Sequence, residues 1–248
     1  MAKNVVDNRI LFDALLGKDI TDEKSVDLEW NTSWYEEEET PSIQGKRLGA
    51  FKNLMERDSL YWETVEKLKN AGAIIVEFDP PEVGMDGFLS LLNVDMKNDL
   101  PRYLSSQIKD QESVSIRSIA DVVNFNAMDS LVRIPYGQAL FEGILADTTS
   151  VEALGIIKST LEQNGRRFFD GALDTYQLDA VLSINNYHAG FAAVAKYPAL
   201  TVPLGYRATG EPVNLTFIAK SFQEQRLYEM GDAFEFVFPA RRPPKGYD

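Results

Sequence analysis

Residues 179–220 constrain the fold more than any other part of the chain. Their sequence is DAVLSINNYHAGFAAVAKYPALTVPLGYRATGEPVNLTFIAK. Short apolar runs, bounded by Gly, Pro and Asn, alternate with a polar turn and with a stretch of small residues. Such runs are typical of strands that are buried on both faces. The stretch therefore predicts central strands of a sheet, among them Ala180–Ile184 and Val213–Ala219.

The rest of the chain alternates predicted strands and helices. Arg47–Phe51 and Ala73–Phe78 are predicted strands on either side of an amphipathic helix, Ser59–Asn70, and this order predicts a β-α-β unit with parallel strands. Further helices are predicted over 4–16, 88–104, 116–126, 137–146, 151–176 and 221–238. The apolar residues of the first fall on one face, and the 151–176 helix is expected to be interrupted or bent near Gly165. The pattern predicts an α/β fold: a mixed, largely parallel sheet with helices on both faces.

Composition excludes several classes of function. The formal net charge of −13 argues against a nucleic-acid or anionic-membrane partner, because both need a clustered basic surface. The absence of cysteine from the sequence excludes a disulfide framework, a thiol nucleophile and a thiolate metal site. Charged residues interrupt the apolar pattern of the first twenty positions, which fits neither a signal peptide nor a spanning helix. We expect a soluble protein, cytoplasmic by default.

An acidic segment over 18–45 contains Trp30, Trp34, Tyr35 and the run Glu36–Glu39. We interpret it as a solvated connector whose aromatic residues pin it to the surface. A carboxylate metal site is the alternative, but four consecutive glutamates cannot all face one ion on a regular element. No metal site and no cofactor are predicted.

Several segments together resemble the amidase signature family. Those near the C-terminus are Ala192–Pro203, Pro212–Ile218, Arg226-Leu227, Ala233–Glu235 and Ala240–Pro244. Their order and spacing are similar to the C-terminal end of that family. Met1–Val5 and the predicted helix after it resemble a motif that lies just downstream of the family's catalytic serine. Ile119–Val123 and Pro135–Glu142 resemble an insert of the longer amidases, peptide amidases among them, rather than the A subunit of glutamyl-tRNA amidotransferase.

The resemblance implies that residues 1–248 form the C-terminal part of a single amidase domain, with a mainly helical insert at about 85–147. The enzymes of this family hydrolyse carboxylic amides with a serine nucleophile, a second serine and a lysine base, without a cofactor. Ser105-Ser106 is the only pair of adjacent serines in the sequence, and its neighbours do not match the family's glycine-flanked motif. We therefore predict no catalytic residue in this chain, a nucleophile upstream of it, and no activity of the chain alone.

His188 is the only histidine, so a Ser–His–Asp arrangement would have to use it. Ser183, Asp179 and Ser221 are available by residue type, but no serine lies in a nucleophile-elbow sequence. The expected role of His188 is that of a loop residue that lines a cleft or faces water.

The predicted substrate-binding residues are Asn185, Asn186, Tyr187 and His188. They match by position a polar loop near the family's substrate cleft, and they follow a strand at its carboxyl end, where open α/β sheets bind ligands. The alternative is a turn that only ends a strand and starts a helix. For the complete enzyme, the expected ligand is a small-molecule or peptide amide.

A function of another class stays open. The chain could be a non-catalytic binding or structural half-domain that associates with itself or with a partner that supplies an N-terminal half. Half of a sheet leaves an open edge and apolar faces that need cover.

Overall fold

The computed structural model describes residues 1–22, 24–27, 40–110 and 113–242. The helices are α1 Val5–Ala14, α2 Lys52–Arg57, α3 Ser59–Asn70, α4 Phe88–Gln107, α5 Ile119–Ala127, α6 Ser130–Arg133, α7 Ala139–Ala146, α8 Val151–Thr175, α9 Ala189–Ala195 and α10 Glu224–Val237. The strands are β1 Arg47–Phe51, β2 Ile74–Phe78, β3 Ala180–Ile184, β4 Ala199–Tyr206 and β5 Pro212–Ile218. The aromatic and acidic part of the predicted connector, Trp30 to Glu39, lies outside the described residues.

The chain divides into two compact units, one formed by residues 1–82 and 165–248 and the other by residues 83–164. The first unit contains the sheet. The second contains α4 to α7 and the first part of α8. Helices were predicted at α4, α5, α7 and α8, whereas the four-residue α6 was missed. The predicted insert at about 85–147 falls within this unit, and its status as an insert stays a prediction.

The sheet has the strand order β2-β1-β3-β5-β4. β1 pairs in parallel with β2 and with β3, whereas β5 pairs antiparallel with β3 and with β4. The mixed sheet and the parallel β1–β2 pair are confirmed, although parallel pairs make up only half of the pairings. Helix α2 was missed, because its six residues follow β1 without a break in the sequence.

Helices cover both faces of the sheet in the first unit. Successive residues of a strand point to opposite faces. Phe217 of β5 lies 6.0 Å, between ring centroids, from Phe234 of α10, so α10 covers one face. Ser183 of β3, paired with Thr216 of β5, points to the other face and contacts His188 at the start of α9. The fold class is therefore confirmed.

Helix α8 is continuous through Gly165, so the predicted interruption is wrong. A Cβ atom on Gly165 would lie 2.7 Å from the backbone N of Ala195 and the backbone O of Phe191. The glycine is needed because α8 and α9 approach each other closely at this point.

Helix α1 packs on α10 through a stripe that shares only Val5 with the apolar face that the sequence suggested. Val5, Asn8 and Phe12 form the contact stripe: the Asn8 Oδ1 accepts a hydrogen bond of 2.7 Å from the Tyr228 hydroxyl, and the rings of Phe12 and Tyr228 are 5.5 Å apart. Only Val5 of the helix is fully buried. The remaining large residues of the predicted apolar face are exposed, namely Val6, Ile10, Leu11 and Leu15.

Within the second unit, Asn93 is a buried polar residue of α4. Its Nδ2 donates to the Asp147 carboxylate at 3.1 Å, which ties α4 to the residue that follows α7. Across the described ranges, no helix is both long and apolar enough to cross a bilayer. The same ranges contain no group of three or more His, Asp or Glu side chains placed to hold a metal ion.

Candidate functional site

The turn Asn185–His188 joins β3 to α9 and is tied to the sheet by Asn185. This residue adopts a left-handed conformation with φ of 49°, which asparagine tolerates better than most residues. Its backbone N–H donates to the Asn214 carbonyl at 2.9 Å, and its Oδ1 accepts from the Asn214 N–H at 2.9 Å. Asn185 therefore extends the β3–β5 ladder by one residue.

Three hydroxyl side chains cross the sheet beneath this turn. Ser183 of β3 lies opposite Thr216 of β5, which lies opposite Thr201 of β4. We call these three residues the hydroxyl row. The Thr216 hydroxyl donates to the Asn185 carbonyl at 2.7 Å and lies 2.9 Å from the Thr201 hydroxyl. Ser183 and Thr216 are buried, whereas Thr201 is exposed on the edge strand.

His188 is only partly exposed and lies in an aromatic cluster, and its expected place at the lining of a cleft stays a prediction. Its ring stacks on Phe51, with centroids 4.0 Å apart, and lies 5.5 Å from Phe168. Its Nδ1 is 2.7 Å from the Ser183 Oγ. Burial lowers the pKa of His188 to about 4, because charge is disfavoured among apolar groups. His188 is therefore neutral at neutral pH and packs against these aromatic rings.

The described residues do not assemble a Ser–His–Asp site. Ser183 contacts His188, but only 1% of Ser183 is exposed, so a substrate cannot reach its hydroxyl. Asp179 lies before β3 and His188 after it, and the five residues of that strand span roughly 16 Å. The Asp179 carboxylate accepts instead from the Arg47 N–H at 2.8 Å, and the Ser221 hydroxyl donates to the Lys196 carbonyl at 2.7 Å.

Asn186 and Tyr187 are the exposed side chains of the turn, and 60% of Tyr187 is accessible. Their backbone is fixed: the Tyr187 N–H donates to the Ile184 carbonyl at 3.1 Å, and the Asn186 carbonyl accepts from the Ala189 N–H at 3.0 Å. Two accessible polar side chains thus project from an ordered backbone.

A groove of about 340 Å³ runs along β4. The groove is lined from the sheet by Thr201, Pro203 and Asn214. Lys3 lines it from the N-terminal segment, and Glu235 lines it from α10. Burial raises the pKa of Glu235. The Glu235 carboxylate also accepts a hydrogen bond of 2.7 Å from the Val5 N–H, and this bond lowers the pKa, but by less than burial raises it. The groove combines an apolar floor with a few polar groups, as small-molecule sites do.

The whole chain is similar to amidases in sequence and in structure. It is 28% identical over 258 residues to a probable amidase of Arabidopsis thaliana, and the match covers 99% of the chain and 49% of that protein. An amidase family protein from Bacillus anthracis has a crystal structure with a TM-score of 0.84 and 31% identity, over 99% of the chain and 49% of that protein. The chain is similar to members of the amidase signature family over nearly its whole length. No protein-family model matches it.

The native peptide amidase of Stenotrophomonas maltophilia, another solved member of this structural group, has a TM-score of 0.84 and 28% identity. That match covers 98% of the chain and 54% of the peptide amidase. The chain thus spans about half the length of the amidase signature proteins that it matches. The family resemblance drawn from the C-terminal segments is confirmed.

The assignment of Asn185, Asn186, Tyr187 and His188 to substrate binding stays a prediction. The structure places the four in one turn but divides them: Asn185 and His188 hold the turn to the sheet and the aromatic cluster, and Asn186 and Tyr187 are exposed. The hydroxyl row was not foreseen. Its signal in the sequence is a single Ser or Thr inside each of three apolar strands, but only the register shows that they meet.

Proposed function

We propose that this chain is part of an enzyme that hydrolyses carboxylic amides to an acid and ammonia or an amine, through an acyl-serine intermediate. The observation that carries the proposal is the similarity of nearly the whole chain to amidases, in sequence and at a TM-score of 0.84. Similarity to amidases supports amide hydrolysis in general. The peptide amidase among these relatives favours a peptide amide as the substrate.

In this proposal the chain supplies the C-terminal half of the amidase fold. The nucleophilic serine, the second serine and the lysine base belong to the half that the chain does not span. A serine hydroxyl attacks an amide only when a base accepts its proton. The hydroxyl of Ser183, which contacts His188, is too buried for an amide to reach it. The chain by itself is therefore expected to hydrolyse no amide.

The turn contributes substrate contacts through Asn186 and Tyr187. An amide side chain can both donate and accept hydrogen bonds, and a phenol offers a ring and a hydroxyl. Both project from a backbone that the β3–β5 ladder and α9 hold in place, so little order has to be gained on binding. His188 acts here by positioning the turn, through Ser183 and Phe51.

The test compares the 248-residue chain with the product of the complete reading frame that encodes it. Ammonia release from C-terminal peptide amides is measured for both. We expect release by the longer product, its loss when the serine of the glycine-flanked motif is replaced by alanine, and none from the chain alone. Serine-dependent hydrolysis by the isolated chain would contradict the proposal.

Variants of the turn test its role within the longer product. Tyr187→Ala and Asn186→Ala are expected to raise KM, whereas Tyr136→Ala, which removes a fully exposed tyrosine of the second unit, serves as the matched control. Unchanged kinetic parameters in both turn variants would remove the turn from the substrate site.

The second candidate is a non-catalytic half-domain that pairs with itself or with a partner. It is favoured by β4, an edge strand of eight residues without a charged side chain, which is the kind of edge that proteins normally cover. The intact mass of the protein from its source separates the two candidates. A mass of about twice 27.9 kDa supports the longer enzyme, and a mass of 27.9 kDa supports the half-domain.

A further inference from the structure

Large apolar side chains lie on the surface of the second unit between α5 and α7, within residues 125–140. We call them the exposed apolar patch. Its members are Phe125, Met128, Leu131, Val132, Tyr136 and Leu140. Phe125 is 41% exposed, and each of the other five is at least 74% exposed. Side chains exposed to this degree project from the surface and gain little from contacts with their own chain.

The elements that carry the patch are joined by contacts around Arg133. The Arg133 guanidinium lies over the Phe125 ring, 3.7 Å from the ring centroid, and donates a hydrogen bond to the Phe125 carbonyl. The Asn126 Nδ2 donates to the Gln138 Oε1 at 3.3 Å. These contacts connect the end of α5 to α6 and to the residue that precedes α7. The patch is therefore one region of an ordered surface.

The area of the patch exceeds the apolar surface that a monomer normally exposes. A large side chain carries on the order of 150–200 Å² of surface, so the exposed parts of the six members amount to roughly 700–900 Å². The largest apolar patch of a typical monomer is roughly 300–600 Å². Each partner of a stable complex buries roughly 800 Å². The patch thus matches one side of an interface of standard size.

Charge favours a second copy of this chain as the partner. The net charge of −13 opposes the association of two copies, so a contact between them is most favourable where the surface is neutral. Residues 125–140 contain one acidic residue, Asp129, and one basic residue, Arg133, and both are exposed. In a twofold interface, residue i of one copy contacts residue j of the other, and j contacts i. A patch with one charge of each sign is therefore complementary to itself.

We propose that the exposed apolar patch is the interface of a twofold-symmetric homodimer. Asp129 of each copy pairs with Arg133 of the other, so that two ion pairs flank the apolar contact. Arg133 is prepared for this role, because Phe125 holds its guanidinium and one hydrogen bond within the chain leaves most of its five N–H groups for a carboxylate. The dimer is independent of the proposed function, since it uses neither β4 nor the turn Asn185–His188.

The test measures the mass of the product of the complete reading frame by size-exclusion chromatography with light scattering, over a series of protein concentrations. We expect twice the mass of one chain. Leu131→Asp buries an unpaired charge in each half of the interface and should raise the Kd of the dimer by about 100-fold. Val151→Asp is the matched control, because Val151 is an 81% exposed apolar residue of the same unit outside the patch. Its Kd should equal that of the unmodified protein.

Charge reversals test the proposed ion pairs. Asp129→Arg and Arg133→Asp each place like charges opposite one another at both contacts, and each should raise the Kd about tenfold or more. An equimolar mixture of these two variants should form a heterodimer, because opposite charges then meet at both contacts. Recovery in the mixture also shows that both variants are folded, which separates a lost interface from a lost fold.

Four outcomes overturn the proposal. The first is an unmodified protein that stays monomeric at all concentrations. The second is Leu131→Asp dimerising like Val151→Asp, and the third is a mixture of the two charge variants that is no more dimeric than either variant alone. The fourth is a monomer that sediments with phosphatidylcholine vesicles and loses this binding in Leu131→Asp, which would assign the patch to a lipid surface.

Discussion

The close approach of α8 and α9 at Gly165 leads to a prediction that one methyl group can test. In Gly165→Ala, the added Cβ would lie 2.7 Å from the Ala195 N, the Phe191 O and the Val194 Cγ2. Ordinary contacts of a Cβ begin at 3.4 Å, so α9 would have to move away by several tenths of an ångström. Two of the three atoms are backbone, and a rotamer change cannot relieve them.

The displacement would disturb a well-packed region. Phe191 of α9 stacks on Phe168 of α8, with ring centroids 4.2 Å apart and planes 4° from parallel, and Ala195 is fully buried. Overpacking of a core typically costs about 1–3 kcal/mol. Replacement of a glycine by alanine inside a helix returns up to about 1 kcal/mol through helix propensity. The net effect expected for Gly165→Ala is a loss of up to about 2 kcal/mol.

Gly171→Ala in the same helix isolates the propensity contribution, because nothing lies within 4 Å of the position of its Cβ. It should stabilise the protein by about 0.5–1 kcal/mol. The stability of both variants is measured by urea unfolding followed by circular dichroism. Their unfolding midpoints are compared provided that the dependence of the unfolding free energy on urea concentration has the same slope in both. Equal midpoints for the two variants would refute the close approach of the helices as the reason for glycine at position 165.

Three further predictions concern the site and the sheet. Because burial lowers the pKa of His188 to about 4, the unfolded chain binds its proton first as the pH falls, and the free energy of unfolding should decrease by at most about 2 kcal/mol between pH 7 and 5. His188→Gln should lack this component, and an imidazole pKa near 6.5 by NMR would contradict it. Tyr61→Phe removes a buried hydroxyl that donates to the Leu182 carbonyl at 2.9 Å. The urea midpoint of this variant should fall by the equivalent of about 1–3 kcal/mol, because the carbonyl loses its donor. Tyr103→Phe, at an exposed position, should leave the urea midpoint unchanged. Asn185→Ala should destabilise the chain by about 1–2 kcal/mol more than Asn185→Gly, since only alanine also strains the left-handed backbone, and equal unfolding midpoints would contradict this.

The sequence predicted most elements of the sheet unit because their boundaries are local. β1, α3 and β3 occupy the residues expected for them. Asp and Asn mark both ends of α3 and of β3, and β1 begins shortly after Gly45. The exposed face of α1 could not be predicted. Its apolar residues indicated one stripe, but the partner on α10 offers a tyrosine hydroxyl, and the helix turns Asn8 and Phe12 toward it.

The candidate site was predicted as a segment but not as an arrangement. The turn follows β3 as expected, yet the surroundings of His188 come from Phe51 and Phe168, which are far away in the sequence. The polar residues beside His188 in the sequence therefore suggested an exposed side chain, whereas the fold places aromatic rings around it. The hydroxyl row depends on strand register, which the hydrophobic pattern alone leaves open for strands buried on both faces.

The strand order has a consequence for the time course of folding. β1 lies beside β3, and Arg47 bonds to Asp179 across 132 positions of sequence. At a synthesis rate of roughly 5–20 residues per second, a ribosome needs on the order of ten seconds to make the residues between them. During that interval β1 and β2 have each other but lack the central strand. Contacts of such long range slow folding, and the incomplete sheet exposes an apolar edge to other nascent chains. We expect the yield of folded protein to depend more on chaperones and on the rate of synthesis than that of a helical protein of equal length.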